Sequence, residues 1–382
     1  MYTTSRKRIL VLSLAWYPLE SGGEVAPRHI IDLSPDYDFD VVTYRFDPSW
    51  PKEERVGRAS VFRLPACNKY HWMWRAFWFS VGRHRKCPYD AFWSIMAGYA
   101  GGVAYWLKVI FRHTPLLLTL QEGDPFAHIA KRVGIFSIFF RGLFRRANVI
   151  QAISLYLAKW GREMGHKGEP VVIPNGVALE KFQMQSKKAT GEASFPKNGR
   201  QVVLVGACRL VPKNGIDIII RALAHLPENV IYRNPGKDEK GLKKELLLLA
   251  RELGVSHRVE LLEDIPLSEI PAHLHAGDIF VRPSRSEGLG ASFLEAMAAG
   301  LPIIATEVGG IPDFLTHEKT GLFTKVDDPE DLARRIRRLM EDAQLRLCLA
   351  AAGPALVRER YSWDTVAKRM QTEVFTKLFP GS

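Results

Sequence analysis

Two glutamates eight positions apart, Glu287 and Glu295, flank a glycine turn within the run from Ile279 to Pro302. The apolar Ile279-Phe-Val reads as a buried strand. The turn is Glu287-Gly288-Leu289-Gly290, and a helix is expected from about Ala291 to Ala299, stopped by Gly300 and Pro302. Free amides at a helix start, with glycines that let the backbone come close, make a cradle for phosphate. A carboxylate in the loop and another one turn into the helix would accept hydrogen bonds from sugar hydroxyls. The same spacing also describes a capped helix with two solvent-facing glutamates, and it does not by itself separate the two readings.

Three more loops have phosphate-friendly chemistry. In Val205 to Gly215, a strand end leads to Arg209 and Lys213, a fork and a point charge suited to a diphosphate. Ala305 to Asp313 contains Gly309-Gly310 before an expected helix, and Pro18 to Gly23 closes on Gly22-Gly23 after the first apolar run. Each is weak alone, because surface charges and glycine turns are common. Four at strand ends in one chain are far less expected by chance.

The elements that must carry these loops alternate along the chain. Strands are expected at Ile9–Leu14, Phe39–Thr43, Ala59–Arg63, Ala91–Ile95, Leu116–Leu120, Val149–Ile153 and Val171–Ile173. A second set comes at Gln201–Val205, Asn229–Tyr232, Val259–Leu262, Ile279–Val281, Ile303–Ala305 and Gly321–Phe323. Helical stretches lie between most of them, so the fold class is α/β, with doubly wound parallel sheets. Residues 185–200 have the polar composition of a linker, dividing a first domain, 1–184, from a second, 201–359. Ligand sites in such folds open at the carboxyl ends of strands, and a cleft between the domains is the default expectation.

The segment from Arg282 to Phe323 resembles the signature of the group-1 (family 4) retaining glycosyltransferases, which have the GT-B fold of two Rossmann-like domains. It carries Pro-Ser-x-x-Glu-Gly-x-Gly, the second glutamate, Ala-Met-Ala-x-Gly-x-Pro, Gly-Gly-x-Pro and Thr-Gly-Leu. Ile173 to Val177, Arg209 to Gly215, His273 to Pro283 and Tyr361 to Asp364 also fit. The resemblance implies that Glu295 holds the ribose of a nucleotide-sugar donor and that Glu287 faces the donor sugar. Amides around Leu289 and Gly290 would hold the diphosphate, with Arg209 and a nearby lysine neutralising it as it leaves. The other donor-side loops would contribute Gly22, Gly23, Gly288, Gly309 and Gly310. It further implies a terminal helix, 360–382, packed back on an acceptor-side first domain. Fixed cations lower the barrier as charge builds on phosphate oxygens, so neither a metal nor any other cofactor is expected. Asp36-Tyr-Asp-Phe-Asp40 resembles a metal-binding run, but it opens a strand and reads as structural.

Three positions depart from the pattern. Asn214 stands where the family lysine usually precedes the glycine, leaving Lys213 to serve. Arg233-Asn-Pro-Gly236 replaces a Gly-x-Gly. Gln121 stands where many members have histidine, with Glu122 next to it. A neutral amide can bind a sugar hydroxyl but cannot act as a base. Gln121 and Glu122 are therefore the acceptor-side candidates, with Glu122 and Asp124 equally readable as turn and cap residues.

Charge divides the chain. Residues 1–170 carry 24 Lys and Arg against 14 Asp and Glu, a balance of +10, while 171–382 carry 29 against 27, or +2. Eight of the nine tryptophans lie in the first part. A basic, aromatic half suits an anionic membrane surface, and without a recognisable binding motif nucleic acid is not expected. On Lys69 to Lys86, helical spacing predicts Met73, Trp74, Phe77, Trp78 and Val81 packed on the sheet, with Trp72 and Phe79 left facing out. Lys131 to Arg146 reads as an apolar stretch with basic flanks, buried or interfacial. Ala91 to Leu107 is uncharged but broken by glycines, and it reads as a strand and a helix rather than a span. Four scattered cysteines fit a reducing compartment.

The expectation is therefore a glycosyltransferase that uses a nucleotide-diphosphate sugar. Its acceptor would be a glycan or lipid-linked molecule of surface polysaccharide or glycolipid assembly, met on the cytoplasmic face of a membrane. The alternative is a catalytically inactive GT-B-fold nucleotide-sugar-binding or scaffold protein, motivated by the three departures.

Overall fold

The computed structural model describes residues 6–19, 22–134, 137–182, 201–239 and 241–379. The chain forms two compact units. The first is built from Met1–Gly176 with Trp363–Ser382, and the second from Val177–Ser362. The expected linker at 185–200 lies outside the described residues. The first unit ends at Gly176 rather than at 184, and the Leu179–Phe182 helix belongs with the second.

In the first unit, eight strands form one sheet. They are β1 (Lys7–Leu12), β2 (Tyr37–Tyr44), β3 (Glu53–Val56), β4 (Ala59–Leu64), β5 (Ala91–Ile95), β6 (Leu116–Leu120), β7 (Val149–Ala152) and β8 (Val171–Val172). Their order is β3-β4-β2-β1-β5-β6-β7-β8, and all pairs are parallel except β3 with β4. In the second unit β9 (Val202–Val205), β10 (Val230–Pro235), β11 (Val259–Leu262), β12 (Ile279–Arg282), β13 (Ile303–Thr306) and β14 (Leu322–Thr324) are all parallel. Their order is β11-β10-β9-β12-β13-β14. Central strands such as Ala91–Ile95 and Leu116–Leu120 are buried along their whole length. That is why they read as unbroken apolar runs: helices cover both faces of a parallel sheet.

Both sheets reverse their strand order once, between β1 and β5 and between β9 and β12. At such a reversal the connections leave on opposite faces, and a crevice opens at the strands' carboxyl ends. The loops after β9 and β12 are Gly206–Gly215 and Pro283–Gly290, two of the four stretches that sequence chemistry singled out.

Three sequence expectations are corrected. β3 was not expected, because Glu-Glu-Arg-Val is a polar antiparallel edge strand with no apolar run. Residues 131–146 form parts of two helices, Phe126–Val133 and Ser137–Arg146, the first capped by Gly134 at φ +50°. The inward face of the Lys69–Lys86 helix is Trp72, Ala76, Ser80, Val81 and His84. Trp72 is fully buried, whereas Trp74 and Trp78 are 63% and 52% exposed, the reverse of the expected arrangement, and Phe79 is half-buried. The helix has aromatics on every side, so hydrophobic periodicity does not choose a face; packing on the sheet does. No described helix is long and apolar enough to cross a membrane.

Candidate functional site

The second unit's switch point is held by one buried guanidinium. Arg282, the last residue of β12, is 8% exposed and bonds three separate segments. Its Nη2 donates to Asn214 Oδ1 at 2.9 Å and to Glu287 Oε2, and its Nη1 donates to Ser292 Oγ at 3.0 Å. Asn214, 2% exposed, donates in turn from Nδ2 to the Arg209 carbonyl at 2.8 Å. The position that lacks the family lysine is therefore a structural amide that ties the β9 loop to Arg282. Gly215 takes the left-handed conformation at φ +70°, and a Cβ there would lie 2.1 Å from the Pro283 carbonyl oxygen. The two loops touch backbone to backbone.

A second arginine reinforces the join. Arg285 forms a fork with Asp217 at 2.9 and 2.7 Å, and its Nε reaches Asp327 at 2.6 Å. Its backbone N–H donates to the Lys213 carbonyl at 2.7 Å. Sequence reasoning missed Arg282, Arg285 and Asp217. The available signal was a charge closing an otherwise apolar strand, Ile-Phe-Val-Arg282.

Glu287 is 7% exposed, and its carboxylate is already engaged: Oε2 takes Arg282 and Oε1 accepts the Gly288 N–H at 3.0 Å. Its carbonyl accepts the Gly310 N–H at 3.2 Å. Gly309, at φ +58°, passes so close that a Cβ would lie 1.8 Å from that carbonyl oxygen. Gly309 and Gly310 thus act as a close-packing pair that braces the Glu287 loop, and the Gly288 and Gly310 amides are spent within the protein. The expected helix after this pair is only a short turn, Ile311–Asp313.

Beyond Gly288 the backbone is open. Gly290, at φ +91°, starts the Ala291–Ala298 helix with no side-chain cap. Among the described residues the Leu289 and Gly290 N–H groups donate to no protein acceptor. Glu295 lies one turn into this helix. Its carboxylate is recessed, and burial raises its pKa to about 7, partly opposed by the charge of Lys181. Among the described residues it has no hydrogen-bond partner, which sets it apart from Glu287.

The cations differ as much as the glutamates. Arg209 is exposed and meets Glu239 at 3.3 Å. Lys213 is half-buried on the Pro212–Asn214 turn. In the departure at Arg233–Gly236, Arg233 pairs with Glu260, and the fully buried Asn234 donates to the Cys208 carbonyl at 2.9 Å. Gly236 is sterically required, because a Cβ would lie 1.9 Å from that same carbonyl oxygen. Beneath them, burial lowers the His273 pKa, keeping the ring neutral, and its Nε2 lies 2.8 Å from the Gly206 carbonyl oxygen.

In the first unit Gly22 and Gly23 open the Gly22–Asp32 helix, which comes after β1. Gln121 accepts a hydrogen bond from Asn175 Nδ2 at 3.2 Å. Glu122 is 8% exposed and accepts the Ala97 N–H at 2.7 Å and the Gln121 N–H at 2.9 Å. These bonds stitch the loop after β5 to the end of β6. Burial nonetheless outweighs them and raises its pKa to about 7. Asp40 of the metal-like run is a structural hub that accepts from Arg8, Arg83 and Tyr89. Among the described residues no cluster of His, Cys, Asp and Glu is arranged to hold a metal ion.

Two family models cover the two units in turn. Residues 33–181 match Glycosyltransferase Family 4 and residues 187–355 match glycosyl transferases group 1. The chain belongs to the group 1 glycosyltransferases. Its fold is GT-B. Sucrose-phosphate synthase from Thermosynechococcus elongatus superposes with a TM-score of 0.84 at 20% identity, covering 99% of this chain and 100% of that one. Anabaena HepE in complex with UDP-glucose does so at 0.79 and 22%, covering 97% and 99%.

Among curated relatives of this chain, the GDP-mannose-dependent alpha-(1-6)-phosphatidylinositol monomannoside mannosyltransferase of Mycobacterium tuberculosis is 29% identical. The match covers 58% of this chain and 60% of the relative. The D-inositol 3-phosphate glycosyltransferase of Corynebacterium urealyticum is 31% identical over 56% and 52%. The chain thus matches little more than half the length of these relatives.

Proposed function

We propose that the protein is an active, retaining, metal-independent hexosyl- or N-acetylhexosaminyl-transferase. It would move a sugar from a UDP or GDP donor to a glycan or lipid-linked acceptor in surface polysaccharide or glycolipid assembly. The observation that carries the reading is the pairing of an uncapped helix start at Gly290 with the recessed, unpartnered carboxylate of Glu295 at a Rossmann switch point. Uncapped amides attract a diphosphate, and a carboxylate with no protein donor suits the hydroxyls of a ribose.

Chemically, the bond from the sugar's anomeric carbon to the diphosphate oxygen breaks while the acceptor oxygen bonds to that carbon on the same face. The diphosphate leaves with the electron pair, and its departing oxygen takes the proton released from the acceptor hydroxyl. Arg209, Lys213 and the Leu289 and Gly290 amides stabilise the charge that develops there. Glu287, held by Arg282, keeps the loop and those amides in place beside the sugar.

A lipid-linked acceptor is supported by the mannosyltransferase relative, whose name specifies a phosphatidylinositol acceptor, whereas D-inositol 3-phosphate, named for the other, is water-soluble. A lipid-linked acceptor would place the work on the cytoplasmic face of a membrane. A thermal-shift panel of nucleotide sugars tests the donor assignment. At about a hundred times its dissociation constant a true donor adds about 2.7 kcal/mol of stability. The same donor should shift Glu295→Ala far less, the lost charged hydrogen bonds costing about 1.5–3 kcal/mol. A panel with no stabilising nucleotide sugar, or an unaffected Glu295 variant, would refute it.

A further inference from the structure

Three neighbouring helices of the first unit, Lys69–Lys86, Tyr99–Ile110 and Ser137–Arg146, form one layer. The middle helix meets both others through small residues. A Cβ on Gly102 would lie 2.3 Å from Met73 Cε, and one on Gly101 2.6 Å from Leu143 Cδ2. Each helix buries one face and presents large apolar side chains on the other. On the first, Tyr70, Trp74 and Trp78 recur every four residues opposite the buried Trp72, Ala76 and Ser80. On the second, Trp106 and Ile110 face out, and on the third Ile138, 78% exposed, and Phe139. Rings join across the layer: Trp106 and Phe139 lie 5.6 Å apart, and Tyr70 and Tyr99 also 5.6 Å. Seven exposed large apolar residues on one layer are far more than the single ones that soluble surfaces carry.

The charge on the same layer selects the occupant. The three helices contain no Asp or Glu, and Lys69, Arg85, Lys86, Arg141, Arg145 and Arg146 are exposed on them. Indole and phenol rings beside basic side chains, with no acid to repel phosphate, match the headgroup region of an anionic bilayer. A partner protein of ordinary surface charge would leave these cations unmatched. No described helix is able to span the bilayer, so contact would be interfacial.

We infer that this three-helix layer is the face by which the protein binds the surface of an anionic membrane, with Trp74, Trp78, Trp106 and Ile138 entering the headgroup region. On the proposed reading of a lipid-linked acceptor, on which this inference rests, such binding brings that acceptor to the first unit.

The test is flotation of the full-length protein with phosphatidylglycerol-containing vesicles and with pure phosphatidylcholine vesicles, at about 0.1 M and 1 M salt, where the screening length falls from about 10 to about 3 Å. Binding to the anionic vesicles is expected, weaker at high salt but not abolished, because apolar insertion is not screened. Lys86→Gln, Arg141→Gln and Arg145→Gln together should lower partitioning at least tenfold, given about fivefold (about 1 kcal/mol) for each cation. Trp74→Ser with Trp78→Ser should also lower it, and both sets, being exposed, should leave the melting temperature unchanged. Nucleotide-sugar binding, measured in the same samples, should be unaffected, which separates failure of this inference from failure of the donor assignment. It is overturned if the protein stays unbound at low salt, if it binds neutral vesicles equally, or if neither set of substitutions weakens binding. A concentration-dependent dimer lost in the tryptophan variant, without vesicle binding, would assign the face to a second copy and also overturn it.

Discussion

Arg282→Met removes the guanidinium that joins β12 to Asn214, Glu287 and Ser292 while keeping most of the side chain's volume. The Glu287 carboxylate would then be left 7% exposed with only the Gly288 N–H as a partner, and Asn214 Oδ1 would lose its donor. Breaking a buried ion pair from one side costs about 3–5 kcal/mol, because the surviving charge remains buried and uncompensated. Against a total stability of about 5–15 kcal/mol this is a large fraction. Adding Glu287→Gln removes the stranded charge, so the double variant should recover part of the loss, with a coupling of about 0.5–3 kcal/mol. The assay can separate the units, because all nine tryptophans lie in residues 1–176 and 363–382. Tryptophan fluorescence therefore tracks the first unit during urea unfolding, while circular dichroism tracks both. The circular-dichroism transition should move to lower urea, and the fluorescence transition should move less. A loss below about 1 kcal/mol, or no recovery in the double variant, would refute the buried-pair argument.

The site carries two further expectations. Arg209→Ala and Lys213→Ala should each lower the transfer rate by about 10²–10³, as for loss of one preorganised stabiliser, with wild-type activity persisting in excess chelator; activity abolished by chelation and restored by Mg²⁺ or Mn²⁺ would sink the metal-free mechanism. Glu122 has a folded pKa of about 7 against a reference of 4.5, so the folded state holds its proton over that window while the unfolded state loses it, and stability should fall as pH rises from 4.5 through 7. That difference corresponds to about 3 kcal/mol, and Glu122→Gln should reduce the slope of the urea-midpoint profile between pH 5 and 8, leaving the part contributed by Glu295; an unchanged slope would show that the two backbone N–H bonds keep the Glu122 carboxylate ionised.

Local pattern determined most of this protein's scaffold. Among the described residues, thirteen of the fourteen strands fall on apolar runs visible in the chain, since strands of a buried parallel sheet must be apolar on both faces; of these fourteen only the polar edge strand β3 left no such signal. The loop after β12 was equally legible, because glycine at φ +91° and a helix start are local requirements. Tertiary structure alone decided what the candidate residues do. Glu287 and Glu295 are the same residue type eight positions apart, yet one is locked to Arg282 and the other is recessed without a partner. Asn214 reads as a missing lysine in the sequence and becomes a brace only because Arg282, 68 positions away, is brought beside it. Trp72 and Trp74 exchange their expected places for a related reason. A helix with aromatics all round has no preferred face of its own, and the sheet and the neighbouring helix that choose one are distant in the chain. Spacing along a chain reports which groups are available; burial and pairing, set by contacts between remote segments, determine which of them stay open to a ligand.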